Sequence, residues 1–230
     1  MAVSPPSAKL CGMKRPIFVT GEYYHIYNRG VDRRQLFSDK SDLDRFLESM
    51  DEFNSIKPIG SIYENSFLNS DIQEKRKSKK LVQFICYCVN PNHYHFVLKQ
   101  VSDGGISEFM KRLGGGYTWY FNNKNKRSGA LFQGLFKAVH VDTNDYLLHL
   151  SAYVNLNFRV HKLGGETAKL LKSSWEEYAG NKQKNFCHKN VILEQFKNKE
   201  EYKDFCEESL DSILEQKQKQ KEMAALLIDE

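Results

Sequence analysis

The period of the apolar positions changes several times along this chain, and each change marks an element. Residues 18–29, FVTGEYYHIYNR, are β-branched and aromatic and predict a strand closed by Gly30. Over 39–54, Leu43, Phe46, Leu47, Met50 and Phe53 recur at three and four residues, the spacing of a helix, with Ser38, Asp39 or Ser41 as candidate caps. Periodicity is lost over 57–80. This stretch carries the charge run EKRKSKK at 74–80 and reads as a flexible tip between strands, or as a loop that contacts phosphate. A continuous apolar strand follows at 81–89, then the turn triplet Asn90-Pro91-Asn92. Residues 93–99, HYHFVLK, alternate: His93, His95 and Val97 face one side, Tyr94, Phe96 and Leu98 the other. The two segments predict an antiparallel hairpin.

Residues 105–123 return to helical spacing through Ile106, Phe109, Met110, Leu113 and Tyr117. Gly114-Gly115-Gly116 interrupts that helix at a cost of roughly 1 kcal/mol per Gly relative to Ala, which predicts a bend or a close backbone approach. A basic turn at 124–129, a strand at 131–141 and a helix at 143–159 opened by Asp142 or Thr143 come next. A charged amphipathic helical region occupies 189–222. The order β–α–β–β–α–β–α is the split βαβ pattern. It predicts an α+β fold: a ferredoxin-like antiparallel sheet with helices packed on one face, plus a C-terminal helical tail. The corresponding division is a disordered leader at 1–15, a body at 16–180 and a helical extension at 181–230.

Charge adds a direction. The net +5 divides into +8 over residues 1–165 and −3 over 166–230. A basic body with an acidic tail suits a polyanionic partner for the body, although an ordinary solvated surface gives the same figures. The five cysteines are odd in number, form no C-x-x-C pair, and place Cys86 and Cys88 inside the apolar strand. Reduced, buried thiols of a cytoplasmic protein fit that usage. No apolar run reaches the ~18 residues of a membrane span, and residues 1–16 lack the apolar stretch of a signal peptide.

Two clusters carry candidate chemistry. His93 and His95, two apart on a strand, project side by side and could share one divalent ion, although H-x-H alone is a weak signal. On the helix at 143–159, Tyr153 and Asn157 share a face, with His149 one turn earlier. A tyrosine phenol has a pKa of ~10 and attacks a phosphorus only once its proton is lost or its anion stabilised. A metal on the two imidazoles would supply that stabilisation, and the Asn157 amide oxygen could complete its shell.

Several blocks, in order, resemble the single-tyrosine HUH transposases, which include the insertion-sequence 200/605 group and the REP-associated tyrosine transposases. They are YYHIYNRG (23–30), CYCVNPNHYHFVLK (86–99), the stretch at 105–141, YLLHLSAYVNLN (146–157) and SSWEEYAG (173–180). The resemblance covers about residues 21–180. It implies single-stranded or hairpin DNA as substrate, Mg2+ or Mn2+ as cofactor, His93, His95 and Asn157 as metal ligands, and Tyr153 as the nucleophile. It further implies a 5′-phosphotyrosine intermediate with a free 3′-hydroxyl. Some members are homodimers that exchange the catalytic helix, while REP-associated ones act as monomers. Members often carry Tyr-Ile-His-Leu-Asn-Pro at this helix; here Asn155 replaces the His and Phe158 the Pro, which predicts a helix running on toward Arg159 and His161.

Candidate phosphate contacts are Arg29, Arg33, Lys111, Arg112, Lys124, Lys126, Arg127 and Lys137. Tyr117, Trp119 and Tyr120 could stack on bases, with core packing expected for at least two of them. His25 and His140, on predicted strands, read as structural residues or DNA contacts. Three readings compete with an active transposase. A domesticated hairpin binder would not need all four site residues. A replication initiator or relaxase orders its motifs differently. An unrelated metal hydrolase would want more ligands near the His pair.

Overall fold

A computed structural model describes residues 15–77, 79–180 and 186–226. The leader expected over 1–15 falls, but for Arg15, outside the described residues. Strand β1 (Tyr23–Arg29) is followed by helix α1 (Lys40–Glu52), whose start is fixed by Asp39 accepting the Asp42 N–H at 3.0 Å. The connection expected to lack structure holds two short helices, α2 (Ile62–Ser66) and α3 (Ser70–Lys77). A capping box explains the first: Ser61 Oγ accepts the Glu64 N–H, and the Glu64 carboxylate accepts the Ser61 N–H. Caps, rather than an apolar period, specify these turns.

Strands β2 (Val82–Asn90) and β3 (His93–Gln100) form the predicted hairpin over Pro91-Asn92. Helix α4 (Gly105–Lys124) runs unbroken through its three glycines. Only Gly116 marks a close approach, since a Cβ there would sit 2.6 Å from the Phe53 ring; Gly114 and Gly115 have nothing within 4 Å. Strand β4 is shorter than the expected 131–141 and spans Lys137–Val141, because Gly134 turns the chain with φ +65° after a single bridge from Phe132 to Gly30.

The helix expected over 143–159 is two pieces, α5 (Asn144–Asn155) and α6 (Asn157–Val160), separated by Leu156 at φ −103° and ψ 12°. The chain does continue in helical form toward Arg159, but with a joint between nucleophile candidate and ligand candidate. Strand β5 (Lys172–Ser173), helix α7 (Trp175–Tyr178), helix α8 (Asn190–Leu193) and helix α9 (Lys199–Leu226) complete the described chain. Among the described residues no helix is long and apolar enough to cross a membrane.

The sheet order is β4-β1-β3-β2-β5, with every neighbouring pair antiparallel. Its first four strands have the ferredoxin-like order predicted. The helices of the two split units, α1 and α4, share one face. There Phe46 packs on Tyr94 and Phe96, and Phe84 stands edge-on to Phe109 with centroids 5.5 Å apart. The other face is covered as well: α5 crosses β2 and β3, and α9 packs on α5 through buried Tyr202, Cys206, Leu210 and Ile213. Asn155 anchors this layer, donating to Tyr202 Oη at 2.9 Å and accepting from Ser174 Oγ at 2.6 Å.

Candidate active site

Register brings the first group of residues together. Arg29 and Asn90 flank His93 across the sheet, and Tyr27 and Cys88 flank His95, all on the face that α5 covers. The α5–α6 segment lays Tyr153 and Asn157 over the histidines. The Tyr153 ring stands edge-on to His95 with centroids 5.6 Å apart, and Asn157 Oδ1 lies 3.2 Å from His93 Nε2. A cleft of about 660 Å³ opens here, lined by these rings and by Arg29, Arg33, Lys137, His161 and Lys217.

The hydrogen bonds at His93 define its tautomer. Its Nδ1 is 2.7 Å from Asn92 Oδ1, which can only accept, so Nδ1 carries the proton and Nε2 a bare lone pair. That lone pair and Asn157 Oδ1 are both electron-rich and cannot bond to each other. The Asn90 amide separates them, its Nδ2 lying 2.8 Å from His93 Nε2 and 2.8 Å from Asn157 Oδ1. Asn157 Nδ2 is buried and makes no hydrogen bond of ordinary geometry.

This donor set fits a divalent cation. His93 Nε2 and Asn157 Oδ1, two lone-pair atoms 3.2 Å apart, are close enough that one cation could contact both. Two imidazoles and an amide are all neutral, leaving the cation's charge for an anionic ligand such as phosphate. Among the described residues no three His, Cys, Asp or Glu side chains are placed to hold a metal ion.

Burial sets the protonation states. It lowers the His93 pKa and lowers that of His95 well below the usual imidazole value, which favours the neutral ring at both. Burial raises the Tyr153 phenol above its ordinary value, and the adjacent Asn157 amide pulls it part of the way back. Tyr27 is raised by burial too.

The predicted cations divide by location. Arg29, Arg33 and Lys137 line the cleft. Arg29 Nε also donates to Gln133 Oε1. Lys111 lies on the opposite side of the sheet, beside a second cleft of about 370 Å³ floored by Gly114 and Gly115. Arg112 is committed within the protein, to Glu108 at 2.8 Å and to the Ser55 carbonyl. Lys124 is clamped by Asp42 at 2.7 Å and Asp39 at 2.8 Å. Lys126 is exposed at a turn with φ +49°, while Arg127 donates to Asn122 and to the Ala130 carbonyl at 3.0 Å. Of the three aromatics, Tyr117 is buried, Tyr120 is half-buried and bonds Asp42, and Trp119 is 69% exposed. His140 pairs with Glu22 at 3.0 Å, and His149 turns toward Ser209 of α9.

Sequence reasoning missed Asn90, Tyr27, His161 and Lys217. Tyr27 was open to the two-residue alternation of β1. Asn90 read as a turn former because it precedes Pro91, and Lys217 reaches the cleft from 64 positions beyond Tyr153 in the sequence.

A histidine pair on a ferredoxin-like sheet thus lies beneath a helix-borne tyrosine in a cleft lined by Arg29, Arg33, Lys137 and Lys217. The family model described as "Transposase IS200 like" matches residues 18–157, and the chain belongs to that family of DNA transposases. Among solved structures, one described as a REP-associated tyrosine transposase bound to a REP hairpin is similar at 12% identity and a TM-score of 0.48. The match covers 76% of this chain and 89% of that one. No curated protein matches the chain.

Proposed function

We propose that this transposase-family chain is a metal-dependent enzyme that nicks and rejoins single-stranded DNA near hairpins through a phosphotyrosine bond. The observation that carries this reading is the convergence of the Tyr153 ring with His93 and His95 in one cation-lined cleft, with buried Asn157 Oδ1 3.2 Å from His93 Nε2 behind it. His93 Nε2, His95 and Asn157 Oδ1 would hold Mg2+ or Mn2+. When bound, that cation polarises a phosphoryl oxygen and offsets the negative charge that develops during attack.

The chain's own residues supply the rest. Arg29, Arg33 and Lys137 attract and orient the backbone phosphates of the strand. Tyr153 Oη bonds to phosphorus as the phenol loses its proton. The bond to the 3′ oxygen breaks, and that oxygen takes up a proton. The product is a 5′-phosphotyrosine and a free 3′-hydroxyl. One phosphodiester replaces another, so reversal at a new junction needs no external energy source. The buried phenol is held neutral at rest, which restrains attack until substrate and cation are in place.

Labelled single-stranded DNA carrying a hairpin from the flanks of the gene, with manganese or magnesium, tests this on a denaturing gel. Wild type is expected to form a covalent protein–DNA band, and Tyr153→Phe and His95→Ala to abolish it. A band that survives Tyr153→Phe means a different nucleophile. Hairpin binding without any band makes the chain a binder that does not cut.

A further inference from the structure

His25 lies on β1, buried behind the cleft wall. Its Nε2 is 2.9 Å from His95 Nδ1, and the two rings stack with centroids 5.1 Å apart and 21° between planes. Its other nitrogen, Nδ1, is buried and has no partner. As a packing element this is a poor choice, since an apolar ring of similar size would fill the space without stranding a polar atom. The one polar contact that repays its presence is His95.

One N–H lies between the two facing nitrogens. If His25 supplies it, His95 keeps its own proton on Nε2 and turns an N–H toward the cleft. If His95 supplies it, Nε2 of His95 is left with a bare lone pair. Only the second arrangement lets His95 bind a cation. His93 reaches the same state by a different route, its Nδ1 held at 2.7 Å by Asn92 Oδ1. Both histidines are thus gripped at Nδ1 from behind, one by an amide and the other by an imidazole.

We infer that His25 is a positioning residue for His95: its Nε2 accepts the His95 Nδ1 proton, fixing the ring and leaving the His95 Nε2 lone pair for a divalent cation. This rests on the reading of His95 as a metal ligand given above. His25 itself touches neither the cation nor the DNA.

Manganese binding to the whole chain, measured by calorimetric titration, tests the inference on wild type, His95→Ala, His25→Phe and His25→Gln. The melting temperature of each is taken in metal-free buffer. Phe keeps an aromatic ring and removes the acceptor, while Gln keeps an acceptor oxygen near the Nε2 position. Wild type is expected to bind and His95→Ala to lose binding. His25→Phe is expected to bind roughly 10- to 100-fold more weakly, with a melting temperature at or above wild type. His25→Gln is expected to recover most of the affinity.

A folded His25→Phe that binds manganese as wild type does overturns the positioning role and leaves His95 as a ligand. A His25→Gln as weak as His25→Phe also overturns it. If wild type binds no manganese, or His95→Ala binds as wild type does, the metal-site reading fails and takes this inference with it. Should His25→Phe not fold, nitrogen-resolved NMR of wild type with zinc as a diamagnetic probe decides. A proton on His95 Nδ1 supports the inference, and a proton on Nε2 overturns it.

Discussion

Strand β3 meets two different environments through the same eight residues. On one side Tyr94, Phe96 and Leu98 pack into the rings of α1 and α4, and all three are buried. On the other, His93 and His95 meet Asn90, Cys88, Tyr27 and the polar side chains of α5 and α6. The first layer is built mainly from apolar rings, although Arg45 Nε on α1 is buried without a partner. The second leaves His25 Nδ1 and Asn157 Nδ2 buried without partners, each at a cost on the order of 1–3 kcal/mol. Apolar rings dominate one side of the sheet, and buried polar side chains crowd the other.

The largest effect should come from the packed face. Phe96→Ala is expected to lose about 3–5 kcal/mol of unfolding free energy in a urea titration. A loss well under 2 kcal/mol would mean the two faces share the load. Asn90→Ala sharpens the other half of the comparison. Without its amide, His93 Nε2 and Asn157 Oδ1 face each other unpaired, so we expect a loss of about 1–3 kcal/mol in metal-free buffer. Saturating manganese should shrink that loss, because a ligand that binds only the folded state stabilises it. Equal losses with and without manganese would show that Asn90 does not stand between two cation donors.

Smaller effects come from α4. Gly115→Ala should raise stability by about 0.5–1 kcal/mol, since open space surrounds it, whereas Gly116→Ala should lower the melting temperature by pushing into Phe53. Matching signs for the two would contradict the packing described. The smallest effect concerns pH. Lys124 holds the Asp39 carboxyl below its ordinary range. A depressed carboxyl contributes stability that is present above its unfolded pKa of about 4 and lost as pH falls through the folded value. Wild type should therefore lose slightly more melting temperature than Lys124→Met between pH 7 and pH 3.

Much of this was legible in the sequence because two periods carry it. The alternation of 93–99 put His93 and His95 on one side, and the helical spacing of 143–159 put Tyr153 and Asn157 on another. Their meeting needed the third dimension. Which face α5 covers, and that α9 lies behind it, follows from packing between segments far apart in sequence. The His25–His95 bond was unreadable for a related reason: it depends on the register of β1 against β3, which pairs His25 with Val97 and Tyr27 with His95. The capping box at Ser61 and Glu64 is spelled S-x-x-E in the sequence, within a stretch that has no apolar period.

The joint at Leu156 divides the helical segment over the histidines into two arms. Tyr153 rides on the arm before it and Asn157 on the arm after it. Helix α9 grips both. Its Tyr202 bonds Ser151 at 3.0 Å and Asn155 at 2.9 Å on the first arm, and its Glu207 pairs with Arg159 on the second. The acidic tail thus acts as a splint across a fracture. The proposed nucleophile and the proposed ligand, on either side of the joint, are therefore tied through their own helices to one and the same partner helix.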